Sequence, residues 1–331
     1  MQRWLDRFDR CHTAALTDLE SRADKLTAVA GSVDVGDNSG MLSSHHKHRV
    51  VILLGTNYSG SHLLSHLVSA HSQCFGVGEL HRYEQLVGTS NQAPVVSQYN
   101  ASPLFHNLSE QPVEQWYATL AARFSADQGV VAPVIVDNSK KVKWVKRVTG
   151  GPQTDLRLVH LIRDPRALVL RWLNTYDSEK RRRTQRLRVA RRVPTRAAQI
   201  LTGSWVDVFI YKWLRENRQI SDYMTQSKVV HAVVTYRDVV FDTQATLQKL
   251  MPRLGLEFEP RQLRFGEGNT FGTTKTAHAD AVKQSEIRPD LKWQTQLDAS
   301  AQRVIAANKD VVRYLAALNL RLGDDGLIAN T

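Results

Sequence analysis

The sequence predicts a three-layer α/β fold, with a central, mostly parallel sheet and helices on both faces. Three observations carry this reading. Short runs apolar on both faces recur along the chain, as strands buried from both sides require. They alternate with longer segments whose apolar residues follow the helical period. Strand ends also run directly into helix-start signals. The 331 residues, 42% hydrophobic, suffice for one large domain.

In chain order, residues 1–30 read as a polar helix, with Trp4, Leu5, Phe8, Leu16, Leu19 and Leu26 on a rough helical period. Residues 31–48, rich in Gly, Ser, Asp and His, read as a linker. The main domain is expected over 49–320 and a C-terminal tail over 321–331. Within the domain, strands are expected at Val50–Leu54, Val130–Val136, Leu156–Ile162 and Val229–Thr235. Helices are expected at Ser61–Ala70, Val113–Ala126, Ser204–Gln226, Gln244–Leu254 and Asp298–Leu318. Asp164-Pro165 is an N-cap followed by proline at the first helical position, and Ser204 with Asp207 forms a capping-box variant. His81 to Gln115 reads as loop, a place for recognition elements.

The most informative stretch is Val50-Val-Ile-Leu-Leu-Gly-Thr-Asn-Tyr-Ser-Gly-Ser-His-Leu-Leu64. It reads as a buried strand, a glycine-bounded turn and a helix start. Gly55 and Gly60 have the spacing of a Walker loop, but Ser61 stands where its Lys belongs and His62 where its Mg²⁺-binding hydroxyl belongs. What remains is a set of backbone N–H groups at a helix N-terminus, suited to an anion without a metal. This disfavours kinase or ATPase chemistry.

With 44 Lys+Arg against 32 Asp+Glu, the chain carries a formal charge of +12, which favours anionic partners. Two cysteines, Cys11 and Cys74, suggest neither a disulfide framework nor a zinc site. No signal-peptide core or stretch of ~18 apolar residues is evident, so a cytoplasmic location is expected. Ser178 to Arg196 holds Lys180 and eight Arg against Glu179. It reads as a solvated helix or insertion that also offers peripheral contact with an anionic surface. It lacks the interleaved aromatics that stack bases, which argues against nucleic acid.

Two pieces in order, Gly55-Thr-Asn-Tyr-Ser-Gly-Ser-His-Leu-Leu64 with Gly78-Glu79-Leu80 and then Leu161-Ile-Arg-Asp-Pro-Arg-Ala167, resemble the P-loop sulfotransferases, of the bacterial type related to carbohydrate and tyrosylprotein sulfotransferases. Val136-Asp-Asn-Ser-Lys140, Thr235-Tyr-Arg-Asp-Val239, Gly268-Asn269 and Trp293 are weaker echoes. The resemblance spans roughly residues 49 to 320. It implies a metal-free transfer of a sulfuryl group from 3′-phosphoadenosine-5′-phosphosulfate to a hydroxyl-bearing acceptor, with anionic or lipid-linked carbohydrate the expected class.

Site roles follow from the same resemblance. Gly55, Thr56, Asn57, Tyr58, Ser59, Gly60, Ser61 and His62 wrap the 5′-phosphosulfate. Arg163 contacts the 3′-phosphate, with Arg166 offering a second fork. Arg171 stands where relatives place a Ser on that phosphate, and either substitutes as a charged donor or is solvated. Tyr236 and Asp238 take a structural or donor-edge role, and Gly268 and Asn269 line the adenosine pocket. Glu79 is the expected general base, with His62 and His81 as rivals; a carboxylate needs its pKa raised to be effective, and pairing with Arg82 is the structural alternative. Tyr58 replaces the usual cation of the loop. Lys140 is the expected catalytic substitute, against a plain surface role. Two other readings remain: a nucleotide or small-molecule kinase on the same fold, and a non-catalytic anion-binding protein in which Tyr58 marks lost activity.

Overall fold

The computed structural model describes residues 48–89, 95–148, 154–271 and 281–330. The expected helix over 1–30 and nearly all of the expected linker lie outside the described residues. The strands are β1 (His48–Gly55), β2 (Cys74–Gly78), β3 (Val134–Lys140), β4 (Thr154–Ile162) and β5 (Val230–Thr235). They form one parallel sheet in the order β2-β3-β1-β4-β5. The strands alternate with helices α1 (Ser61–Ser69), α2 (Leu80–Leu86), α3 (Val95–Asn100), α4 (Trp116–Gln128), α5 (Val142–Val148), α6 (Pro165–Thr175), α7 (Glu179–Arg192), α8 (Ala197–Thr202) and α9 (Trp205–Ser227). After β5 come α10 (Tyr236–Phe241), α11 (Thr243–Arg253), α12 (Trp293–Gln296), α13 (Ala299–Ala306) and α14 (Lys309–Ala317).

β1 shows why the sheet is central. Val50, Ile52 and Leu54 join Phe75, Tyr117 and Phe124 on one face, while Val51 and Leu53 pack with Leu64, Leu67 and Met251 on the other. Every one of these is buried, so both faces are covered and the strand is apolar throughout. Because β3 and β4 flank β1 on opposite sides, the chain reverses direction across the sheet there, and the crevice beyond the carboxyl ends of these strands is where such folds bind ligands.

Most expected elements form, and the exceptions have local causes. β3 begins at Val134, after Gly129 closes α4 at φ 67° and Ala132 turns at φ 53°. It then continues through Asp137, Asn138, Ser139 and Lys140, all buried. β2, absent from the expectation, carries two glycines within its five residues. The expected helix over Asp298–Leu318 is two, because the Asn308 side chain accepts from the amides of Asp310 and Val311 and caps α14. The loop expected over 81–115 contains α2, α3 and three short 3-10 turns, with Tyr83, Tyr99 and Phe105 buried in the core. The expected tail begins as a hairpin, β6 (Leu320–Leu322) against β7 (Leu327–Ala329). Both sequence-read caps form: Asp164 accepts from the Arg166 amide with Pro165 at the helix start, and Ser204 with Asp207 closes the box on α9.

Candidate functional site

The turn after β1 sits at the crevice. It is held by two positive φ angles, 95° at Gly60 and 72° at Tyr58. A side chain at Gly60 would displace its neighbour, since a Cβ there would lie 2.5 Å from Cδ2 of Tyr236. Thr56, Ser59 and Ser61 are buried on this turn. The Thr56 and Ser59 hydroxyls have no hydrogen-bond partner among the described residues. Buried hydroxyls normally find partners, and these two, above the start of α1, are free to donate to an acceptor oxygen. Asn57 is exposed at its tip, where Lys141 Nζ donates to its Oδ1 at 3.4 Å.

Beside the turn, Glu79, His62 and Lys140 come together from three elements. Glu79 closes β2 and precedes α2, His62 is in the first turn of α1, and Lys140 ends β3 at φ 63°. Lys140 donates to Glu79 Oε1, and His62 Nε2 lies 3.1 Å from the same oxygen. Arg82, the alternative partner, is 3.9 Å away. The Lys140 side chain is 6% exposed and that of Glu79 13%, so the surface role for Lys140 does not hold. Burial on its own would raise the Glu79 pKa. Hydrogen bonds from His62 and the charge and hydrogen bond of Lys140 outweigh it and hold the carboxyl well below its ordinary range. The condition for an effective base, a raised pKa, is not met in the cluster as it stands. His81 donates its backbone amide to Ser139 Oγ at 3.1 Å. Burial pushes its imidazole down to about 4, the charge of Glu79 only partly opposing this.

Under the cluster, Asp137 is fully buried and accepts from Tyr117 Oη at 2.6 Å and from Trp144 Nε1 at 2.8 Å. Burial raises its pKa to about 6 in spite of those bonds.

Arg163, at the end of β4, crosses to the same turn. Its Nη1 donates to the Tyr58 carbonyl at 2.8 Å, and its Nη2 to the carbonyl and Oδ2 of Asp290 at 3.2 and 2.9 Å. The guanidinium lies 4.2 Å over the Tyr236 ring. The Tyr236 hydroxyl accepts from the Asp290 amide at 3.1 Å. Asp290, which sequence reasoning missed, therefore occupies with a carboxylate the fork assigned to a phosphate. Its only sequence signal is its place just ahead of Trp293.

The remaining candidates divide. Arg171 is exposed, with its guanidinium 4.6 Å over the Tyr58 ring. That puts a cation at the residue that replaced one. Arg166 is not available to a phosphate: it pairs with Asp164 at 2.6 Å, donates to the Gly323 carbonyl and covers the Trp293 ring at 3.8 Å. Asn269 meets β2 through its backbone. Its carbonyl accepts from Gly76, which is level in the sheet with Val136 and, through it, Val51, four residues short of Gly55. Among the described residues no cluster suited to a metal occurs, and no helix is long and apolar enough to cross a membrane.

A model of the Sulfotransferase family matches residues 50–260. No curated protein sequence matches the chain. Among solved structures, the sulfotransferase domain from the Synechococcus PCC 7002 olefin synthase is 16% identical, with a TM-score of 0.51 over 87% of this chain and 100% of that one. The sulfotransferase domain from the curacin biosynthetic pathway is 19% identical, with a TM-score of 0.47 over 78% and 95%. Mouse sulfotransferase SULT7A1, complexed with PAP, is 9% identical, with a TM-score of 0.39 over 79% and 85%.

Proposed function

For a chain that belongs to the sulfotransferase family, we propose that the donor is 3′-phosphoadenosine-5′-phosphosulfate and the acceptor a hydroxyl, with Glu79 receiving its proton. The observation that carries this reading is the convergence, at one sheet edge, of the orphan hydroxyls of Thr56 and Ser59, the Glu79–His62–Lys140 cluster and the fork of Arg163.

In this reading the loop amides with Thr56, Ser59 and Ser61 hold the 5′-phosphosulfate, and Arg163 takes the 3′-phosphate as Asp290 yields. The acceptor oxygen forms a bond to sulfur while the bond from sulfur to the bridging oxygen breaks. The electron pair leaves with the 5′-phosphate, and the acceptor proton passes to Glu79. Lys140 couples the two ends. While it donates to Glu79 the carboxylate is a poor base; once the departing oxygen draws the ammonium away, the proton affinity of Glu79 rises when a base is needed. Lys140 thereby supplies the charge stabilisation that Tyr58 lacks. Arg171 above Tyr58 is placed to assist. Anionic or lipid-linked carbohydrate remains the acceptor class of this reading, and the cytoplasm its setting.

Calorimetric titration with 3′-phosphoadenosine-5′-phosphate, ATP and adenosine 5′-phosphosulfate tests the donor. Preference for the nucleotide phosphorylated on both ends is expected; equal affinity without the 3′-phosphate would refute it. Glu79→Gln should lose turnover yet keep nucleotide binding.

A further inference from the structure

A cavity of about 730 Å³ opens between α5 and α9, bounded also by the segment after α7. Five basic side chains face it: Lys146, Arg192, Arg196, Arg215 and Arg218. The acids in its lining are Asp222 and Asp310. Asp310 is already engaged, by Arg196 at 2.9 Å and more loosely by Arg218 at 3.9 Å. Lys146, Arg192 and Arg215 form no ion pair among the described residues. Arg215 is held toward Gln219, to which it donates at 3.4 Å, and Lys146 lies 5.6 Å over the ring of Tyr223. Burial, and next the like charge of Arg192, disfavour the Arg215 guanidinium, with the charge of Glu216 only partly opposing them.

Helix ends account for part of this. Arg192 closes the last turn of α7 and Lys146 that of α5, where cations suit the macrodipole. Arg215 has no such reason, being in the middle of α9. Five converging cations against two acids, three of the cations outside any ion pair among the described residues, make a concave wall of surplus positive charge that an anion with several oxygens relieves. We propose that this basin binds a multiply charged oxyanion, a molecule bearing two or more phosphate or sulfate groups, apart from the nucleotide turn. The two sources of that chemistry are an acidic carbohydrate and a free oligophosphate. Val142, two residues beyond Lys140, lines the basin, which none of Glu79, His62 and Lys140 lines. The site stands whether or not the donor assignment does.

The test is calorimetry with inorganic tripolyphosphate on the full chain, with and without saturating 3′-phosphoadenosine-5′-phosphate. Binding should persist beside the nucleotide and weaken about tenfold in the Arg192→Gln, Arg215→Gln double variant. Asp222→Asn, which removes a lining acid, should tighten it about twofold. A fully sulfated disaccharide that binds more tightly than tripolyphosphate assigns the source to carbohydrate; the reverse order assigns it to free phosphate. Unchanged affinity in both variants, or complete displacement by the nucleotide, overturns the proposal. If the nucleotide itself does not bind, the donor reading fails, and the two variants still decide the basin.

Discussion

Replacing Glu79 by Gln leaves the Lys140 ammonium inside the protein without its anion. The Lys140 side chain is 6% exposed, too little for water to take over. Breaking a buried pair from one side costs about 3 to 5 kcal/mol. The low end applies here, because Glu79 is 13% exposed and His62 stays close by; we expect a loss of about 3 kcal/mol. Lys140→Met in the same chain removes the stranded charge and should return about 2 kcal/mol of it. Urea unfolding followed by the fluorescence of the seven tryptophans gives all four corners of the cycle from midpoints at constant slope. The pH dependence has a definite sign. A carboxyl whose folded pKa is depressed stabilises fully above its unfolded value, near 4.5, and loses that contribution as pH falls below it. The wild type should therefore lose stability more steeply than E79Q as acid is added. A Glu79→Gln cost under about 1 kcal/mol, as for a surface pair, or no recovery with Lys140→Met, would refute the buried pair.

Three further outcomes follow from the same geometry. Asp137 runs in the opposite sense: its pKa rises on folding from 3.8 to about 6, so ionising it opposes folding as pH climbs through that window. Chemical denaturation of Asp137→Asn between pH 4 and 7 should show that penalty, about 3 kcal/mol from a shift near two units, removed. Asp290→Asn should tighten 3′-phosphoadenosine-5′-phosphate about three- to tenfold by freeing the Arg163 fork from a competing carboxylate; weaker binding by calorimetry would make Asp290 a support instead. Gly60→Ala must hold φ 95° and meet the Tyr236 ring, so its thermal midpoint should fall by several degrees, about 1 to 2 kcal/mol, and nucleotide affinity should fall with it.

The elements that sequence patterning found are those whose cause is local. Apolar runs marked β1, β4 and β5, and caps at Asp164 and Ser204 located helix starts to within a residue. β3 was misplaced because its buried second half is polar, and those residues face partners rather than solvent: Asp137 meets Tyr117, Ser139 meets the His81 amide, and Lys140 meets Glu79. The turn and the identity of the clustered residues were legible, whereas their charge states were not. Whether Glu79 is raised or lowered depends on His62 and on Lys140, sixty-one positions away, and whether Arg163 is open depends on Asp290, a hundred and twenty-seven away. Arg166 shows the same limit, since only the fold discloses that Trp293 and Gly323 have claimed it.

Tyr58 and Lys140 both adopt left-handed backbone without being glycine, at φ 72° and 63°. Each conformation carries a penalty of order 1 kcal/mol that the neighbouring structure must sustain. Directed evolution toward heat tolerance should consequently find glycine, or asparagine, at Tyr58 and spare Lys140, where the relief is outweighed by about 3 kcal/mol for leaving Glu79 without its buried partner. Thermal robustness and turnover are thus set against each other at one torsion angle, that of Tyr58, and a hardy descendant of this protein is expected to be a slow one.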